Sequence, residues 1–263
     1  MNDIKISIII KSNCDISAIT SLLQQTNNAW ECFVVNNTIK NIDQFIINDN
    51  RFKIVNDTTT NDIIKNIIAK ASGNYILLIN SDDILTPDAI DNLLHMIYFT
   101  NADIIKFNSR ILSDDVPNIS DKKCRFKYIF NKHNIMDYAF SDLSEICIKK
   151  DIIHEFSKSE HAFVTNILSN AKDMALTKKT CIIKQRAYNL YINDVIENYK
   201  ENHDKLSYDF WVKYFKQISQ QIIINTIRNN DKLSFIRFCN EIPLKLIPWR
   251  YRIMCYILKK TNK

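Results

Sequence analysis

Only one of the 263 residues is glycine, Gly73. Every motif that needs two or more glycines is thereby excluded: the P-loop, the dinucleotide-binding GxGxxG and the GxSxG nucleophile elbow. Gly73 stands between a helical pattern over Ile63–Ala71 and an apolar run over Tyr75–Ile79, where a left-handed residue commonly ends a helix, and that is its expected role. With 46% hydrophobic and 24% charged residues, a chain of this length buries one sizeable core and a smaller appendage. The 46 Ile and 31 Asn read as the base composition of the gene, so no single Asn carries weight by itself.

Apolar runs and helical patterns alternate along the first two thirds of the chain. Ile4–Ile10 reads as a buried strand, and Ile16, Ile19, Leu22 and Leu23 follow at helical spacing. Cys32–Val35 and Phe52–Val55 supply two further strands, Ile63–Ala71 a helix and Tyr75–Ile79 a fourth strand. Such alternation predicts an α/β fold with a mostly parallel sheet flanked by helices. Thr86-Pro87-Asp88 is helix-start chemistry for a helix to about Tyr98, and Ala102–Phe107 is another strand. Asn108–Asn131 loses periodicity and reads as a loop or partial hairpin. Strands near Ile146–Lys149 and Thr180–Lys184 enclose a helix over about Glu160–Ala171, and only helical patterns remain from about Asp194. The expected organisation is one α/β domain over 1–190 and a C-terminal α-helical appendage over 191–263.

The seven cysteines form no CxxC pair and have no histidine at zinc spacing, the usage of reduced cytosolic thiols. No stretch reaches about 18 uncharged apolar residues, and the first apolar run is short for a secretory signal; a cytoplasmic protein is expected. The net charge of +6 is unevenly placed: residues 1–100 carry 7 basic and 11 acidic side chains, whereas Leu244 to Lys263 carry 6 basic and none acidic. Trp249, Tyr251, Ile253, Met254, Tyr256, Ile257 and Leu258 interleave with those charges. That composition suits an amphipathic helix on an anionic membrane surface, and equally a helix packed on its own protein with a solvated basic face. Because the basic excess is confined to the tail, with no aromatic-basic platform elsewhere, nucleic acid is not an expected partner.

In an open parallel sheet, ligands bind beyond the carboxyl ends of the strands, and Asn80-Ser81-Asp82-Asp83 leaves such an end after Tyr75–Ile79. Adjacent carboxylates there suit a hard divalent ion with a diphosphate, or else an acidic turn before the next helix. Three stretches go further: ISIIIKSNCDISAITSLLQQT, ECFVVNNTIKN and AKASGNYILLINSDDILTPDAIDNLL. Over roughly residues 4–190 they resemble the inverting GT-A glycosyltransferases, the family 2-like enzymes of bacterial polysaccharide and lipopolysaccharide synthesis. In that family the last stretch reads as a Gly, an aromatic, an apolar strand, Asp-Ser-Asp-Asp, a hydrophobic pair, Pro and a helix. The resemblance implies a Rossmann-like GT-A domain, a UDP-linked nucleotide-sugar donor, and a divalent metal (Mn²⁺ or Mg²⁺) held mainly by Asp82, with Asp83. It also implies sugar transfer to an acceptor hydroxyl with inversion.

Several positions depart from the family pattern. Asn80, beside Ser81, replaces the first Asp of the metal motif, and Asn37 replaces the base-recognising Asp. Lys11 and Asn13 lie in the segment that stands for Pro-Val-Tyr-Asn, and Lys65 falls where an Asn of an Ala-Arg-Asn motif is frequent. These residues and Arg186 are the expected donor contacts; an amide offers donor and acceptor without charge. The family's base is the Asp of a Glu-Asp pair opening a helix, and Glu160-His161 in KSEHAFVTNIL fits that pair. His161 or Glu160 is the expected base, since a histidine titrating near pH ~6.5 can accept a hydroxyl proton. The bland reading of His161 is a surface residue at a helix N-terminus. Lys184 and Arg186 could pair with a diphosphate or an acceptor phosphate, or form a solvated strand end.

The expected function is metal-dependent transfer of a sugar to a growing cell-surface glycan (O-antigen, capsule or lipooligosaccharide), free or lipid-linked, at the inner face of the cell membrane. A catalytically impaired GT-A domain acting as a binding or assembly module is the alternative, and a nucleotidyltransferase on a similar sheet is the other rival.

Overall fold

The structure, a computed structural model, describes residues 4–11, 16–35, 48–55, 60–111, 126–129, 135, 142–154, 159–184, 192–229, 232–249, 251–253 and 256. Contacts divide the chain into two compact units: Met1–Asn131 with Asp142–Phe156 and Asn170–Ala187, and Lys132–Ser141 with Ser157–Ser169 and Tyr188–Lys263.

The first unit is built on nine strands: β1 (Ile6–Lys11), β2 (Trp30–Val35), β3 (Phe52–Val55), β4 (Tyr75–Asn80), β5 (Asp83–Leu85), β6 (Ile104–Ile111), β7 (Phe126–Ile129), β8 (Ile146–Lys149) and β9 (Met174–Lys184). Their order is β3-β2-β1-β4-β8-β6-β9-β5, with β7 also on β9. The four strands from β3 to β4 are parallel, as is the β6/β9 pair, whereas β8 runs against both β4 and β6. Helices α1 (Ile16–Leu23), α2 (Thr60–Lys70) and α3 (Ala89–Thr100) belong to the same unit. Ile6–Ile10 and Trp30–Val35 are buried along their whole length, Ser7 and Glu31 included, which is why neither strand shows an alternation of apolar and polar residues.

Four elements exceed the sequence reading: β6 runs on to Ile111, past the expected end at Phe107, and the others are β5, β7 and β9. β5 pairs antiparallel with the end of β9, and β7, inside the stretch read as loop or partial hairpin, pairs antiparallel with its beginning. β9 itself is 11 residues long rather than five. Its middle, Thr177-Lys178-Lys179-Thr180, has no apolar period, so only ladder partners on other strands make it a strand. Helix α3 begins at Ala89 with Asp88 at the cap position, and no side-chain cap bond forms there. The Ile90 N–H instead donates to Gln25 Oε1 at 3.1 Å, so the Thr86 cap is replaced by a tertiary partner.

Gly73 is where the expectation for the glycine fails. Among the described residues the only non-glycine with positive φ is Asn101 (φ 46°), and no glycine has positive φ. Asn101 ends α3 in the left-handed region, its N–H donating to Ile97 O; an Asn fills the position that chains richer in glycine give to Gly. Gly73 is required by close approach: a Cβ there would lie 2.5 Å from Ser7 Oγ, 2.6 Å from Ser7 N and 2.8 Å from Lys5 O. Two of those atoms are backbone, Ser7 N in β1 and Lys5 O just before it, and cannot rotate away. Gly73→Ala is therefore expected to cost about 3 kcal/mol, the upper range for overpacking, as read by denaturant unfolding; an unchanged midpoint would refute the steric account.

Beside that contact, Ser7 Oγ donates to Glu31 Oε1 at 2.6 Å and accepts from the Gly73 N–H at 2.9 Å. Ser72 N and Oγ also donate to Glu31 Oε1, and Lys53 Nζ to Oε2 at 2.7 Å. Burial alone would raise the Glu31 carboxyl, but these bonds from Lys53, Ser7 and Ser72 outweigh it and hold it at about 2. The amino edge of the sheet is thus tied by one buried carboxylate.

The second unit contains α4 (Glu160–Asn170) up to Ser169, α5 (Ile192–Asn202), α6 (Tyr208–Asn229) and α7 (Lys232–Glu241). Trp211, Tyr214, Phe215, Phe235 and Phe238 are buried in it, and offset or edge-on ring contacts link Tyr199, Trp211, Phe215 and Phe238. Among the described residues no helix is long and apolar enough to cross a membrane, and Cys32, Cys147, Cys181 and Cys239 are buried and not disulfide-bonded.

Candidate active site at the carboxyl edge of the sheet

β1 and β4 end side by side, with Lys11 opposite Asn80. The chain leaves β4 through Ser81 and Asp82 and re-enters the sheet as β5, with Asp83 opposite Lys184 of β9. Asp83 closes that turn: its Oδ2 accepts the Asn80 N–H at 2.8 Å, and the residue is buried. Burial, with the charges of Asp142 and Asp82, pushes its carboxyl up to about 6 against the pull of the Asn80 N–H and Lys184. Asn80, Ser81 and Asp82 are half-buried, so Asp82 is the carboxylate of the pair that keeps solvent access.

The same edge holds an ion network that sequence reasoning missed. Lys184 Nζ lies 2.6 Å from Asp142 Oδ2 and 3.0 Å from Glu145 Oε1. Glu145 also takes Lys106 Nζ at 2.7 Å and Ser109 Oγ at 2.6 Å. Asp142 Oδ1 accepts the N–H and hydroxyl of Ser144 at 2.9 and 3.0 Å, capping the short 3₁₀ turn Leu143–Glu145. Burial would raise the Asp142 carboxyl, but Lys184, the Ser144 N–H and Lys11 outweigh it and hold it below the ordinary value. Burial likewise opposes Glu145, and Lys106, Ser109 and Lys184 outweigh it. Lys184 is thus bonded to two carboxylates of its own chain, which leaves at most one ammonium proton for a phosphate. Asp142-x-x-Glu145 before an apolar run is a legible cap signal; its pairing with Lys184 is not, because roughly forty residues intervene.

The remaining expected site residues are dispersed. Lys65 is exposed on α2. Asn13, Asn37 and Arg186 lie outside the described residues. Glu160 and His161 open α4 in the second unit. The Ser159 hydroxyl accepts the Ala162 N–H at 3.4 Å, the N-cap geometry that starts the helix there. His161 is 1% exposed, not a surface residue. Its Nδ1 lies 3.5 Å from the Tyr214 hydroxyl, which takes Asn198 Nδ2 at 3.1 Å; Asn198 also meets Thr165 and Asn202. That is a buried polar network between helices. Glu160 is half-buried, and burial together with the charges of Glu160 and Glu197 raises the Asp194 carboxyl.

Residues 16–153, a little over half of the chain, match the sequence profile of Glycosyl transferase family 2. Among solved structures, S. aureus TarS superposes with a TM-score of 0.71 at 13% identity, over 98% of this chain and 53% of that one. TarS 1-349 in complex with UDP gives 0.71 at 12% identity, and its complex with UDP-GlcNAc 0.68 at 14%, over 98% of this chain and 87% and 88% of theirs. The chain therefore spans about half the length of the full TarS chain. No curated protein matches it. At these identities the likeness concerns the fold, which is GT-A, an α/β sheet flanked by helices as the alternation of elements implied. The turn after β4 falls inside the matched segment, and on that match the chain belongs to glycosyl transferase family 2.

Proposed function

We propose that this chain transfers a sugar from a UDP-linked donor to a hydroxyl of a growing cell-surface glycan, with inversion at the anomeric carbon. The observation that carries this reading is the Asn80–Asp83 turn at the carboxyl edge, where Asp83 holds the backbone and Asp82 stays accessible. It is supported by the family match and by the complexes of TarS with UDP and UDP-GlcNAc.

A divalent cation fits the donor set. No group of three or more His, Cys, Asp or Glu among the described residues could hold a metal, so an all-protein cage is not at hand. One accessible carboxylate, Asp82, suits an ion whose other ligands are diphosphate oxygens and water. Bound there, Mn²⁺ or Mg²⁺ would neutralise charge developing on the leaving diphosphate. Lys11, Asn80 and Ser81 line the same edge as donor contacts, with Asn13, Asn37, Lys65 and Arg186 proposed from the family resemblance.

The base, Glu160 or His161, is proposed from the family resemblance alone; of the two, Glu160 keeps solvent access whereas His161 is enclosed beside Tyr214. The base takes the acceptor proton as the acceptor oxygen bonds to the anomeric carbon and the carbon–phosphate oxygen bond breaks, its electron pair leaving with UDP.

The test is thermal unfolding of the full chain with UDP, UDP-GlcNAc and non-uridine nucleotide sugars, each with Mn²⁺ or with EDTA. A ligand at a hundred times its Kd stabilises by about 2.7 kcal/mol, a rise of roughly 5–10 °C for a chain of this size. A rise for uridine nucleotides that EDTA removes supports the reading; the same rise in EDTA refutes the metal. No rise with any donor favours the second reading, a binding or assembly module, which the replacement of acidic family positions by Asn80, Asn37 and His161 supports.

A further inference from the structure

The helical unit ends in a surface that its own core leaves exposed. After the 3₁₀ turn Leu244–Leu246, the N–H groups of Tyr251 and Arg252 both reach Pro248 O, at 2.9 and 3.3 Å, and start a last helical stretch through 249, 251–253 and 256. Leu246 and Ile247 are buried and anchor this segment, whereas Trp249, Ile253 and Tyr256 are 73%, 55% and 58% exposed. Positions 249, 253 and 256 are i, i+4 and i+7, one stripe of a helix. An open cavity of about 330 Å³ adjoins Trp249 and is lined by Lys216, Lys245 and Arg252 among others. Arg252 is held by its own backbone, Nε to Ile247 O at 2.6 Å and a terminal nitrogen to Lys245 O at 3.0 Å. Lys245 Nζ lies 5.5 Å from the ring of Tyr208.

We infer that this surface docks on an anionic lipid bilayer. Trp249, Ile253 and Tyr256 enter the headgroup level, and Lys245, Arg252 and Lys216 face lipid phosphates. Large apolar and aromatic side chains next to cations suit that boundary, where rings and aliphatic chains leave water while charges stay at the polar edge. The charge argues for lipid against a second copy of the chain. Leu244 to Lys263 holds 6 basic and no acidic residues, and a two-fold contact would set Lys216, Lys245 and Arg252, which line the cavity, against their own images. Nothing here depends on sugar transfer, so the inference stands or falls separately from the proposed activity.

The full chain is tested by co-sedimentation with vesicles of phosphatidylcholine alone and of phosphatidylcholine mixed with phosphatidylglycerol. Binding is expected only with phosphatidylglycerol present, weakening as salt rises. Lys245→Glu and Lys216→Glu should each lower it about fivefold or more, the weight of one basic residue at such a surface. Trp249→Ser with Ile253→Ser should lower it about tenfold or more, with an unchanged melting temperature because both residues are exposed. Trp30 and Trp211 are buried, so quenching of tryptophan emission by brominated phosphatidylglycerol reports Trp249. Equal binding to both vesicles, no binding to either, or unaltered binding by these variants overturns the inference. So does a lipid-free dimer that Trp249→Ser dissociates, which would make a second copy the occupant.

Discussion

Asp82→Ala is expected to lose sugar transfer by about a hundredfold to a thousandfold or more, the scale of removing one group that stabilises charge in a transition state, while keeping its melting temperature. The two halves of that expectation have different sources. Transfer falls because Asp82 is the accessible carboxylate of the turn and the proposed anchor of the cation against the diphosphate. Stability holds because the turn bond to the Asn80 N–H comes from Asp83, and because Asp82 is one of the negative charges that raise the Asp83 carboxyl. Asp83→Ala should do the reverse in stability: it strips the Asn80 N–H of its acceptor and costs about 1–3 kcal/mol. Assays with purified protein, a UDP-sugar and Mn²⁺, beside thermal unfolding of both variants, separate the roles. Metal-stimulated transfer by Asp82→Ala within a few-fold of the parent would remove Asp82 from the site.

Lys184→Met is expected to be the most destabilising single change at this edge, by about 3–5 kcal/mol, the range for removing one partner of a buried ion pair. The lysine and Asp142 side chains are 5% and 4% exposed, so the Asp142 carboxylate left behind gains little water. The pH dependence supplies the signature. In the parent, Asp142 and Glu145 sit below their ordinary values, so their contribution is complete above the ordinary carboxylate range and fades as pH falls through the lowered values. In the variant, Asp142 loses its chief counter-charge and its buried carboxyl shifts upward, whereas Glu145 keeps Lys106 and Ser109 and shifts less, so proton uptake by Asp142 in the folded state relieves the strain as pH falls. The gap between parent and variant should therefore be widest at neutral pH and narrow below about pH 5, where carboxyls begin to protonate. Adding Asp142→Asn to Lys184→Met should recover part of the loss. A single variant that melts within a few degrees of the parent at neutral pH would show that the network carries little stability.

What could be read in the linear chain was the part encoded by short-range pattern. Ile8–Ile10, Cys32–Val35 and Tyr75–Ile79 announce strands because both faces are buried and the runs are apolar throughout. The Asn80–Asp83 turn was legible for a related reason: polar residues right after such a run mark a strand's carboxyl end. Glu160 at the start of a helix was legible from local spacing.

Tertiary structure decided the rest. Gly73 stood out by count, but its cause is the β1 backbone more than sixty residues away, and steric contact at that separation leaves no periodic trace. His161 has a surface-like place in its helix sequence, yet Tyr214 of another helix encloses it. Asp142 and Glu145 share one turn while Lys106 and Lys184 lie on β6 and β9, and they gain meaning only when the reversed strand β8 brings Leu143–Glu145 to the carboxyl edge. Local propensity and burial periodicity act over a few residues and are written in the sequence. Which charges meet depends on strand order and register, and those are settled only when the whole sheet closes its hydrogen bonds and its core together.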